Sequence, residues 1–225
     1  MITVIVKCAR SRTNGNENVA ASIRESMVQH MVLLLARKGL QGASFSEILQ
    51  ASGAPRGSLY HHFPGGKDEL VLAALEEARE TAYRFLGGLK GRRAVEVVGS
   101  VTSWWRGLLV QGNLEAGCAV LAVTVAAETP ALLERAGEVF SMWRSQLAEL
   151  LTAGGVPRAR APRLASLIMS TFEGATALAR AEKSLEPFDF AASEVRRVVE
   201  EATSKAEIRH PGAGGGRAKR KAKRR

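Results

Sequence analysis

Apolar positions recur along this chain with the 3.6-residue period of a helix. Ile23, Met27, Met31, Leu34 and Leu35 form one stripe. Ser22-Ile23-Arg24-Glu25 is a capping box that predicts the start of this helix, and Lys38-Gly39 predicts its end. A second capping box, Ser44-Phe45-Ser46-Glu47, opens a short helix carrying Phe45, Ile48 and Leu49. Gly53 allows the left-handed turn that would close it. Pro55 suits the first position of a third helix, which Pro64-Gly65-Gly66 stops after Phe63. Three helices in about 45 residues, the last two short and joined by a tight turn, make the helix-turn-helix pattern.

From Lys67 the chain reads as helix again. Asp68-Glu69 favours a helix start, and Leu70, Ala74, Ala78 and Phe85 continue the stripe to about Leu86. Further helices are predicted at about 92–110, 117–128, 130–152, 160–184 and 189–205. Gly112-Asn113, Pro130, Gly154-Gly155-Val156-Pro157 and Pro187 mark the joints. No useful stretch alternates with period two, so the predicted fold is all-α. The predicted organisation is a mobile N-terminal arm (1–20), a helix-turn-helix domain (21–67), a second helical domain (68–205) and a disordered basic tail (206–225).

Composition sharpens this picture. The net charge is +10, but residues 209–225 hold eight cations and no acid, which leaves +2 for residues 1–208. Such a tail attracts phosphates whatever the sequence. The two cysteines, Cys8 and Cys118, exclude a disulfide scaffold and suit a reducing, cytoplasmic setting. No apolar run is long enough for a membrane span, and Met1–Val6 lacks the form of a secretory signal. Nucleotide loops, Ser/His/Asp arrangements and paired metal-ligand spacings are absent from the pattern, so neither an enzyme nor a cofactor is expected. Adjacent His61 and His62 point about 100° apart on a helix and have no third ligand one turn away, so no metal site is expected either.

The third helix has one inner and one outer face. Leu59 and Phe63 can face inward, which leaves Arg56, Gly57, Ser58, Tyr60, His61 and His62 outward. Those residue types reach phosphates and base edges, and Gly57 permits close approach to DNA. In the second domain, Leu133, Ala136, Phe140, Trp143, Leu147 and Leu150 form a stripe. Trp104, Trp105, Phe140, Trp143 and Phe172 are five of the twelve aromatic residues. Ordinary core is one reading of this group. The other is a small-molecule cavity, supported by Thr171 and Glu173 in a helix otherwise rich in residues such as Met169. Cys118 fits such a wall as a small apolar residue rather than a redox switch.

Gly39, Ser44, Ile48, Gly53, Gly57-Ser58-Leu59-Tyr60-His61-His62-Phe63 and Lys67-Asp68-Glu69-Leu70 resemble the TetR family of bacterial transcriptional repressors over residues 20–72. Gly53-Ala54-Pro55 and Gly117-Cys118 resemble its LmrA/YxaF-like branch. The resemblance implies a homodimer with a small DNA-binding domain and a larger ligand-binding, dimerising domain. It implies Arg56, Ser58 and His61 as base or groove contacts, and Ser44, Tyr60 and Lys67 as phosphate contacts. Leu49 and Ala54 depart from residues common in the family.

The resulting expectation is a sequence-specific repressor, released from a palindromic DNA operator by a small apolar or aromatic inducer. The expected ligand-binding residues are Trp104, Trp105, Cys118, Phe140, Trp143, Met169, Phe172 and Glu173. The alternative from another class is a non-specific architectural nucleic-acid binder driven by the basic tail.

Overall fold

Helices start where free backbone N–H groups find acceptors and stop where the chain can turn. The computed structural model describes the backbone of residues 15–209 except 54, and the side chains of 23–204 except 54 and 56. The described residues form nine helices and no strand. They are α1 (Gly15–Gly42), α2 (Phe45–Ser52), α3 (Arg56–His62), α4 (Gly66–Gly87), α5 (Ala94–Gln111), α6 (Ala119–Ala126), α7 (Pro130–Ala153), α8 (Ala161–Glu182) and α9 (Glu186–Arg209).

Three predicted ends move, one of them the start of α9, which lies at Glu186 with Pro187 in its first turn and not at about 189. α1 starts at Gly15, not at the Ser22 capping box, so residues 15–20 of the expected arm are helical. No breaker separates Asn16 from Ser22, and Ala20-Ala21 have high helix propensity, so nothing stops the helix earlier. α9 likewise takes in 206–209 of the expected tail. Residues 1–14 and 210–225, the rest of the arm and tail, lie outside the described residues.

The internal joints follow the sequence. Gly39 (φ 73°, ψ −179°) breaks α1 just past Lys38. Ser44 sits in extended backbone as the cap of α2, and its hydroxyl accepts from the Glu47 N–H at 3.4 Å. Gly53 closes α2 in the left-handed region (φ 66°). Pro55 caps α3 instead of opening it, and its carbonyl accepts from the Ser58 N–H at 2.9 Å.

Met27, Met31 and Leu35 of α1 are buried with Ile48, Leu59, Phe63 and Leu70 at the N-terminal part of one continuous core. α4 then runs 22 residues, about 33 Å, into the second domain. There it packs on α7, while α8 lies between α7 and α9, and α9 also covers α5. Glu76 on α4 pairs with both Arg79 and Arg135 of α7, and the Glu76 carboxyl sits below its usual range because these guanidinium groups favour its charged form. α1 does not stay in the first domain: it packs against α2 and α4 and also along α6.

One stripe shifts by a residue. The buried face of α7 is Leu132, Ala136, Val139, Trp143, Leu147 and Leu150, at helical spacing from Leu132. The predicted face began at Leu133, which is exposed instead. Both registers share Ala136, Trp143, Leu147 and Leu150, so periodicity alone could not separate them.

At the far end of α4 the chain passes backbone against backbone. The Ala94 N–H donates to the Gly154 carbonyl at 2.9 Å. A Cβ at Gly154 would lie 2.4 Å from the Ala94 nitrogen and 2.9 Å from the Arg92 oxygen. Gly154→Ala is therefore expected to lower unfolding free energy by about 2 kcal/mol, as overpacking does. Gly53→Ala meets no atom and is expected to lower it by about 1 kcal/mol, from positive φ alone. Urea denaturation of the two variants checks the order.

Candidate functional site

Two groups of residues carry candidate chemistry. The first is α2–turn–α3. Leu59 and Phe63 are buried as α3's inner face, and this leaves Gly57, Tyr60 and His61 exposed and Ser58 half-buried. Tyr60 is 65% exposed, and its ring meets Phe45 edge-on at 6.2 Å. A Cβ at Gly57 would meet nothing within 4 Å, so the surface there is open for a close approach. Arg56 opens α3 by its backbone position; its side chain lies outside the described residues.

The two remaining expected phosphate contacts have partners inside the protein. The Ser44 hydroxyl caps α2 and lies 3.3 Å from a Glu47 carboxylate oxygen. Glu47 also pairs with Lys38, which holds its carboxyl below the usual range. The Lys67 ammonium donates to the Leu40 carbonyl at 2.7 Å, so α4 begins tied to the end of α1. An ammonium has three N–H groups, and two remain for other acceptors. Sequence reasoning missed Arg24. Its guanidinium lies 5.0 Å over the Phe63 ring, beside α3. Burial, then the His61 and Arg24 charges, lower the His62 pKa.

The second group surrounds a cavity of about 200 Å³ bounded by α1, α4, α5, α6, α7 and α8. Trp104, Trp105, Cys118, Trp143 and Met169 line it, as sequence predicts. Phe85 stacks on Trp104 at 4.8 Å and extends that wall. The Trp105 indole N–H donates to the Thr176 hydroxyl at 2.9 Å, which fixes the ring. Three expected lining residues stand elsewhere. Phe172 is fully buried behind Trp105, 5.6 Å from it. Phe140 is turned off the α7 core face and packs edge-on against Trp143. Glu173 lies behind the wall, on the α8 face that carries Met169 and Thr176.

The α1 wall was not predicted. Val32, Leu33, Ala36 and Arg37 line the cavity, as do Glu77, Ala78 and Thr81 of α4. A signal was present: Val32 and Ala36 repeat at i, i+4 beside the main stripe of α1, so this helix has two apolar faces. The cavity also reaches the α5–α6 connection. The Gly117 N–H donates to the Ala36 carbonyl at 2.7 Å, and an Arg180 N–H donates to the Arg37 carbonyl at 3.3 Å. A Cβ at Gly117 would lie 2.8 Å from Arg180 Nη1, so a larger residue there would displace the arginine that reaches the Arg37 carbonyl.

Cys118 caps α6, its sulfur accepting from the Leu121 N–H at 3.4 Å. Burial, then the Glu173 charge, push its thiol well up. Both Glu173 carboxylate oxygens are buried without a hydrogen-bond partner among the described residues. Burial pushes the Glu173 carboxyl up to about 7, and the Cys118 thiol offsets only part of this. Because the folded value is raised, the folded protein holds this proton above the point where the unfolded chain loses it. The contribution of Glu173 is then full below about 4.5 and is lost as pH rises towards about 7. Glu173→Gln is expected to remove this fall, worth about 3 kcal/mol at pH 8. Thermal melting of both proteins from acid to alkaline pH checks it.

Comparisons with known proteins agree with this geometry. Residues 32–74 match the family described as bacterial regulatory proteins, tetR family. Residues 94–194 match the C-terminal domain of LmrA/YxaF-like transcriptional regulators. An HTH-type transcriptional regulator of Mycobacterium tuberculosis is 35% identical over 78% of this chain and 93% of its own length. The HTH-type transcriptional regulator LmrA of Bacillus subtilis is 25% identical over 73% of this chain and 89% of its own. The crystal structure of a TetR transcriptional regulator from Chloroflexus aurantiacus superposes with a TM-score of 0.68 at 30% identity, covering 82% of this chain and 97% of that one. The helix-turn-helix, the all-α second domain and these matches together make the chain a member of the TetR family of DNA-binding transcriptional regulators, in its LmrA/YxaF-like branch.

Proposed function

We propose that this regulator is a cytoplasmic homodimeric repressor that a small apolar or aromatic molecule releases from a palindromic operator. The observation that carries the reading is the shared wall of the cavity. Its lining includes α1 and α4: α1 packs against α2 and α4, and Lys67 at the start of α4 is tied to the Leu40 carbonyl at the end of α1. A ligand pressing on Ala36 or Ala78 therefore pushes on the frame of the helix-turn-helix. Such a ligand shifts the equilibrium only if it prefers one frame position over the other. The apolar wall, with three tryptophans, suits an aromatic body.

Exposed Leu167, Leu178 and Phe190 on α8 and α9 support these helices as the dimer face. A dimer would set two α3 helices about 34 Å apart in successive major grooves. Gly57, Ser58 and His61, with Arg56, would read the groove, and Tyr60, Ser44 and Lys67 would hold phosphates.

Selection of DNA from a random pool tests this, at about 150 mM salt to weaken non-specific attraction. Wild-type protein is expected to enrich a palindrome. Arg56→Ala is expected to relax one position of each half-site and to weaken binding to the selected sequence by about 1–3 kcal/mol. A pool left unenriched by the wild type, or equal weakening of Arg56→Ala on every sequence, would contradict the assignment.

A further inference from the structure

The end of the second domain remote from α3 gathers positive charge from separate parts of the chain. The connection 88–93 brings Lys90 and Arg92, and the connection before α8 brings Arg158 and Arg160, with Arg163 in the first turn of α8. The Ala94–Gly154 backbone hydrogen bond fixes these two connections side by side. The last turns of α9 close the same end: a Cβ at Gly155 would lie 3.9 Å from Thr203 Cγ2.

The balance of charge there is one-sided. Lys90, Arg92, Arg158 and Arg163 are exposed and Arg160 is half-buried. Among the described residues none of the five makes an ion pair. Arg92 donates only to the Ser100 hydroxyl, at 3.0 Å. Nearby acids are engaged: Glu96 by Arg93 and Glu200 by Arg196. Glu149 is the acid near this end outside any ion pair among the described residues. No acid stands in the first turn of α8, whose dipole adds to the positive field.

We propose that this end of the domain is a second polyanion-binding surface, and that its partner is the phosphate backbone of a nucleic-acid duplex other than the one α3 reads. Four of the five cations are arginines, whose planar fork matches phosphate oxygens in pairs. Among the described residues the large exposed apolar side chains are Tyr60, Tyr83, Val110, Val125, Leu133, Leu167, Leu178 and Phe190; none stands on the two connections, and Leu167 lies one turn beyond Arg163. A surface of charge without exposed apolar anchors suits a phosphate backbone, whereas interfacial membrane binding buries an apolar face. Three residues separate α3 from α4, and α4 carries the chain about 33 Å before Lys90, so the patch stands a full helix length from the groove-reading residues.

The test uses the full chain, held on a short immobilised duplex, and a second, fluorescent duplex of unrelated sequence in solution. Wild-type protein is expected to capture the second duplex. The variant Arg158→Gln/Arg160→Gln/Arg163→Gln is expected to stay on the first duplex within about 2-fold while losing capture by about 10-fold or more, with a log–log salt slope smaller by about 2–3. Lys90→Gln/Arg92→Gln, on the other connection, is expected to act in the same direction without touching α8. Thermal melting confirms that both variants are folded. Capture by the triple variant at the wild-type level would overturn the proposal, and so would wild-type protein that holds the first duplex and captures none. Uptake of phosphatidylserine vesicles in place of the second duplex would overturn it in favour of a membrane surface. Failure of the random-pool selection to yield a palindrome would leave capture by the patch intact, so the two readings fail separately.

Discussion

The last turn of α1 is where the two domains are joined. The carbonyls that end a helix have no partner within it, and the break at Gly39 frees those just before it as well. Groups from elsewhere in the chain satisfy three of them. Gly117 holds the Ala36 oxygen, Arg180 holds that of Arg37, and Lys67 holds that of Leu40. One of these donors starts α4, one precedes α6 and one lies near the end of α8. A movement of any of these elements must therefore be followed by α1 or break its hydrogen bond to α1. Hydrogen bonds to charged donors are among the stronger ones, so α1 following is the favoured outcome.

The same helix faces two apolar environments. Met27, Met31 and Leu35 belong to the core that holds α2 and α3, and Val32, Leu33 and Ala36 belong to the cavity wall. Tight packing makes such an element transmit displacement instead of absorbing it. This gives α1 a role beside α4, the helix that joins the domains along the chain. Glu76 pairs within α4 with Arg79 and across to Arg135, and the second pair couples α4 to α7. Two helices, one covalently and one non-covalently shared, thus frame the helix-turn-helix.

Much of the fold was legible because its signals are local. Ser44, Gly53 and Gly39 each specify a cap or a turn from a single residue's chemistry, and all three stand where the sequence predicts. The residues of α3 were sorted correctly into inward Leu59 and Phe63 and outward Tyr60 because helical period alone decides it. The cavity was less legible. Trp104, Trp105, Trp143, Cys118 and Met169 were found from composition, but Phe140 and Phe172 share that composition and lie outside the lining. Whether an aromatic residue lines a cavity or backs its wall depends on the register between helices, which no single stripe carries. The α7 register slipped between Leu132 and Leu133 for the same reason. The contribution of α1 was hidden because one apolar stripe had already explained that helix.

The central claim is that space in the cavity and the position of the helix-turn-helix are one variable. Substituting a large side chain for a small lining residue of α4 imitates an occupant without any ligand. The measurement is the operator affinity of Ala78→Phe, with thermal melting to confirm its fold and an apolar fluorescent dye to confirm that the cavity is filled. The account predicts a folded protein that excludes the dye and binds its operator about 10-fold or more weakly, the size of a typical coupling free energy. A folded, dye-excluding Ala78→Phe that binds the operator as tightly as the wild type would contradict it.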